Sequence, residues 1–161
     1  MSDLRIRKVK VIPKQEKIKI EYMKGEDTLS GVYSEPARPE LYEAIEKLVG
    51  PVCSICELPT DTFASRIKPY GVTFSYMNEG TTMKASVQAT LHMPASDTDT
   101  VLNTPSRTVS TEYEDGLDDV TCRLLYTVEE EARKYLKGGR AQQSLFGEEI
   151  NVTPQAAQIE G

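Results

Sequence analysis

The chain has 161 residues, the size of a single domain that can bury about two-thirds of its unfolded surface without a disulfide or metal staple. Apolar residues make up 39%, mean hydropathy is -0.43, and no run approaches the roughly 18 apolar residues of a membrane span, so a helical membrane protein is not expected. The net charge of -6 is uneven: residues 1–24 hold eight Lys or Arg against three acids, and the acidic remainder disfavours indiscriminate binding to nucleic acid.

Leu4, Ile6, Val9 and Val11 alternate with basic residues, with a parity change at Arg7-Lys8 that suggests a bulge. Ile18, Ile20 and Tyr22 alternate cleanly, so residues 4–23 read as a β-hairpin turned at Pro13 to Glu16. A short strand follows at Thr28 to Tyr33, then a loop. Pro39 opens a helix with Leu41, Ile45, Leu48 and Val49 on its apolar face, and Gly50-Pro51 is the expected stop. Val52 to Leu58 reads as a short buried strand, and Pro59 to Ser65 as polar connection.

Val72, Phe74 and Tyr76 alternate, Asn78-Glu79-Gly80 turns, and Met83, Ala85, Val87, Ala89, Leu91 and Met93 share one parity. This is a second antiparallel hairpin with one buried and one wet face. Residues 95–115 read as a long Ser/Thr/Asp loop with a Val101-Leu102 island. A long helix then carries Leu117, Val120, Leu124, Val128, Ala132 and Tyr135 at helical spacing, leaving Cys122 off the stripe. Asp118 and Asp119 suit its first turn, Arg133, Lys134 and Lys137 its last, and Gly138-Gly139 stops it. The order predicts an α+β domain over residues 1–139, an antiparallel sheet built from hairpins and covered by two helices, with a tail over 140–161.

Chemistry-bearing motifs are sparse. Cys53-Ser54-Ile55-Cys56 together with Cys122 and His92 matches no zinc-module spacing, so no metal and no cofactor is expected. An odd cysteine count and an N-terminus without a signal-peptide core suggest a reducing, cytoplasmic setting. There is no nucleophile elbow, phosphate loop or dinucleotide fingerprint, so the reading is a non-enzymatic binder. Asp97, Asp99, Glu112, Glu114 and Asp115 read as loop solvation.

Two features point to binding. Arg66, Lys68, Lys84, Asn103, Thr104 and Arg107, with Tyr70, His92 and Ser106 among them, are groups that hold a phosphate or a small nucleotide-like ligand. A subunit interface of a homo-oligomer is the expected place. The second feature is Gln142-Gln143-Ser144-Leu145-Phe146, which resembles the peptide by which bacterial DNA-metabolism proteins dock on the replication sliding clamp. That resemblance implies Gln142 at the rim of a pocket filled by Leu145 and Phe146. The family form has Leu directly after the Gln, where this chain has Gln143.

The words Leu102-Asn103-Thr104-Pro105 and Arg140 to Phe146 also resemble those of small proteins encoded by bacteriophages and prophages. This resemblance implies host cytoplasm and action on host or phage machinery. The expected function is a phage-type accessory protein docking on the host clamp. The alternative is sequestration of a phosphorylated nucleotide, such as a host defence signal.

Overall fold

A computed structural model describes residues 4–138. The expected hairpin is β1 (Leu4–Ile12) and β2 (Lys17–Lys24), joined through a 3-10 turn at Pro13–Gln15. The register slips between Ile6 and Lys8, the bulge that the parity change signalled. β3 (Asp27–Tyr33) pairs with β2. β4 (Ile67–Met77) and β5 (Thr82–Met93) form the second hairpin, and β5 also pairs β6 (Thr98–Asn103) and β7 (Arg107–Thr108). The result is one antiparallel seven-stranded sheet in the order β3-β2-β1-β4-β5-β6, with β7 on β5.

Helices cover one face. α1 (Pro39–Glu46) and α4 (Asp119–Leu136) pack on each other, α4 against β1 and α1 against β4. Two shorter helices, α2 (Val49–Ile55) and α3 (Thr60–Phe63), continue the layer. The core between the layers includes Ile6, Val9, Ile20, Leu41, Leu48, Val72, Phe74, Leu125, Val128 and Tyr135, all essentially sealed from solvent. Burying each such side chain contributes roughly 1.5–3 kcal/mol. Tyr135 stacks edge-on against Tyr33, ring centroids 5.5 Å apart, and donates to the Glu35 carbonyl at 2.6 Å, fastening the segment after β3.

Three expectations are corrected. Val52 to Leu58 is not a strand; most of it lies in α2, because Pro51 sits in the first helical turn, where its missing N–H costs nothing. The 95–115 stretch is not one long loop, since β6 and β7 extend the sheet past β5. On α4 the buried stripe is Cys122, Leu125, Val128, Ala132 and Tyr135, whereas Val120 is 62% exposed. Cys122 therefore faces the core, where burial pushes its thiol up. Among the described residues no helix is long and apolar enough to cross a membrane.

Candidate functional site: a lysine-rimmed cleft

β1 and β4 pair only over Lys8, Val9 and Lys10 against Thr73, Val72 and Gly71. Gly71 permits that approach, since a Cβ there would stand 3.0 Å from the Val9 carbonyl oxygen. Beyond it the ladder stops. Pro69 has no N–H to donate, and the β4–β5 register shifts between Pro69 and Gly71, leaving Tyr70 out of the pairing. β1 runs on to Ile12 without a β4 partner, and a cleft of about 1020 Å³ opens between the two strands and α1–α2.

The floor of this cleft is apolar and aromatic, with Val11, Tyr42, Ile45, Val49, Ile67 and Tyr70. The Tyr42 hydroxyl accepts from the Ala37 N–H at 2.9 Å, which fixes its ring. Three lysines, Lys10, Lys14 and Lys68, stand around the opening, along with Glu46 and Asp99. Asp99 is engaged by His92, Nδ1 lying 2.8 Å from its carboxylate. Among the described residues none of the three lysines is ion-paired. The Lys10 ammonium lies 5.5 Å from the Tyr70 ring centroid. An apolar floor with a few convergent charges is the usual build of a ligand site, and here three ammonium groups outnumber the carboxylates of Glu46 and the His92-engaged Asp99, a balance that suits an anion carried on a flat ring.

The residues singled out from sequence do not converge on one site. Lys68 is on the rim of the cleft. Arg66 packs its guanidinium 4.7 Å over Phe63 and donates to the His92 carbonyl at 2.9 Å, tying the turn before β4 to β5. Lys84 and Arg107 meet around Asp115 instead, Lys84 at 3.3 Å from the carboxylate and Arg107 donating to the Asp115 and Gly116 carbonyls at 2.8 and 2.9 Å. Lys68 pairs across from Thr90, six residues along β5 from Lys84, which separates the two groups by roughly 20 Å. Thr104 is buried, and its hydroxyl accepts from the Val87 N–H at 2.9 Å, carrying the ladder across the gap between β6 and β7. Asn103 stands exposed opposite Gln88. Gln142, Leu145 and Phe146 lie outside the described residues.

Cys53 and Cys56 are on α2, Cys122 is on α4, and His92 is on β5 between Asp97 and Asp99. Among the described residues no group of three or more His, Cys, Asp or Glu is placed to hold a metal ion.

Sequence reasoning missed Lys10, Lys14 and Tyr42 as site residues. One signal was available: Ile67 and Val72 are both apolar but of opposite parity, with Pro69 between them, which is how a bulge that ends a ladder reads. No family model, curated protein or solved structure matches the chain.

Proposed function

We propose that the protein acts by binding and not by catalysis, and that the cleft takes a small phosphorylated, nucleotide-like anion. One observation carries the reading: Lys10, Lys14 and Lys68 surround a cleft floored by Tyr42, Ile45, Val49 and Tyr70. The rings and aliphatic groups suit a base, and the ammonium groups suit phosphate. Calorimetry against a panel of mono- and dinucleotides tests it. A stoichiometric ligand is expected, with affinity falling at least tenfold in Lys10→Ala/Lys68→Ala. Arg107→Ala is expected to lower stability and leave ligand affinity intact, because Arg107 holds the 115–116 backbone. Silence across the panel overturns the reading.

A second reading rests on the clamp-like peptide at Gln142, Leu145 and Phe146, which follows α4 in the sequence. In this proposal a phage-type accessory protein anchors on the host replication clamp through the two apolar side chains. The wild-type chain is expected to bind purified clamp, and Leu145→Ala/Phe146→Ala to lose that binding. Equal binding by both, or none by the wild type, discards it.

A further inference from the structure

We propose that the face of the sheet left uncovered by the described residues is a track for single-stranded nucleic acid, with the cleft at one end of it. The inference rests on the cleft being an anion site and names the ligand class as a strand, not a lone nucleotide. Strand register places Lys8 and Lys10 of β1, Lys17 and Lys19 of β2, Lys68 of β4 and Lys84 of β5 on the face turned away from the core residues Val9, Ile18, Val72 and Ala85.

The distribution is not a by-product of composition. The chain has 25 acids, yet β1, β4 and β5, which lie side by side in the sheet, contain no Asp or Glu; the acids that reach this face are Glu21 of β2, opposite Lys8, Asp99 of β6, opposite His92, and Asp115, beside Lys84, fewer than its six lysines. Lys19 is 3.7 Å from Glu21 and Lys84 is paired with Asp115; among the described residues Lys8, Lys10, Lys17 and Lys68 have no ion-pair partner. Lys10 and Lys19 are direct cross-strand partners, an arrangement of like charges that destabilises a sheet and that Glu21, beside Lys19, offsets only in part. An anion laid over the pair removes that repulsion.

The neutral residues of the same face suit the backbone of a strand. Ser75 and Thr90 offer hydroxyls between the lysines, and Thr73, Gln88 and Ser86 form a hydrogen-bonded row beside them, Thr73 donating to the Gln88 amide oxygen at 3.2 Å and Gln88 to the Ser86 hydroxyl at 3.3 Å. Tyr70, half-buried and unpaired in the bulge, supplies a ring beside Lys10 for a base to stack on. A cationic surface that follows phosphates beside an aromatic platform is how single strands are held without sequence readout. A duplex fits less well, because its major groove admits a helix or a two-stranded ribbon and not the face of a broad sheet.

The test uses the full chain and labelled single-stranded DNA and RNA oligonucleotides of equal length, titrated by fluorescence anisotropy over a range of salt. Duplex DNA, a mononucleotide and phosphatidylserine-containing vesicles are the comparison arms. The oligonucleotide is expected to bind at least tenfold tighter than the mononucleotide. Lys8→Ala and Lys17→Ala, both outside the cleft lining, should each flatten the log–log salt slope by about 0.7. Lys47→Ala, next to α1 on the helical side, should leave the slope unchanged. Tyr70→Leu should weaken binding about tenfold at constant slope. The DNA and RNA arms report which sugar is preferred.

If the mononucleotide binds and the oligonucleotide is no tighter, with the Lys8 and Lys17 variants unchanged, the track is overturned and the cleft reading stands. If neither binds, both fall. Equal binding of duplex or of vesicles, with the same lysine dependence, overturns the single-strand assignment.

Discussion

Asp118 fixes the start of α4 by accepting from the Thr121 N–H at 2.9 Å, and hydrogen bonding to Thr121, its side chain first and then this N–H, holds the Asp118 carboxyl below the usual carboxylate range. Removing such a cap costs about 1 kcal/mol, so Asp118→Ala is expected to lose that much at pH 7 in urea unfolding, and Asp118→Asn much less. The pH dependence has a definite sign. A carboxyl whose folded pKa is depressed contributes fully above its unfolded value of about 3.9, and the contribution vanishes as pH falls through the folded value. Wild-type and Asp118→Ala stabilities should therefore converge below that window; a constant gap down to acid pH would show that the cap acts through something other than charge. Asp115 shifts the same way, chiefly through the hydrogen bond from Thr108. Tyr76 goes in the opposite direction, pushed up to about 12, first by burial and then by Glu129, while its hydroxyl donates to the Ile6 carbonyl at 2.6 Å beside the β1 bulge. Such single-residue roles were only partly legible beforehand. Asp118 was, because an Asp before a helical stripe is a local signal. Arg107 was not: a guanidinium that binds backbone carbonyls and one that binds phosphate look alike until the fold decides which is near.

Among the elements, those with strict periodicity could be read directly. The β1–β2 hairpin, its bulge, and the β4–β5 hairpin all follow from alternation. The failures share a cause, which is that a neighbour and not the segment itself decided the outcome. β6 needs little apolar content because it lies at an edge: Leu102 packs opposite Ala89 while Val101 stays 57% exposed, and threonines supply the rest of the strand. On α4 the apolar count alone cannot say which side meets the sheet. Glu131 is 6% exposed within the stripe, held by Arg38 at 3.6 Å and Lys134 at 3.4 Å, and no hydropathy pattern would place a glutamate there. Close approach of β1 to β4 gives the prediction at this scale. Gly71→Ala brings a methyl 3.0 Å from the Val9 carbonyl oxygen and 3.5 Å from the Lys10 Cα. Crowding of this kind typically costs about 1–3 kcal/mol. The urea midpoint is expected to fall with an unchanged m-value, and an unchanged midpoint would mean that the two strands separate at no cost.

For the whole molecule, the sheet and its helical cover differ in charge as well as in structure. The six lysines of the open face look one way. Glu21, Asp99 and Asp115 are interspersed with them and Glu46 stands at the cleft opening, whereas Glu40 and Glu43 of α1, Glu130 of α4, and Glu112 and Glu114 ahead of α4 belong to the other layer and its connections. Nothing in a net charge of -6 discloses this division, since a sum carries no direction. The N-terminal excess of base was visible in the sequence, but its meeting with Lys68 and Lys84, far along the chain, depends on β1 lying between β2 and β4. A body charged in this lopsided manner behaves as a dipole in an external field. Near a large anionic object such a body is turned before it touches, so that more encounters begin with the unpaired lysines leading.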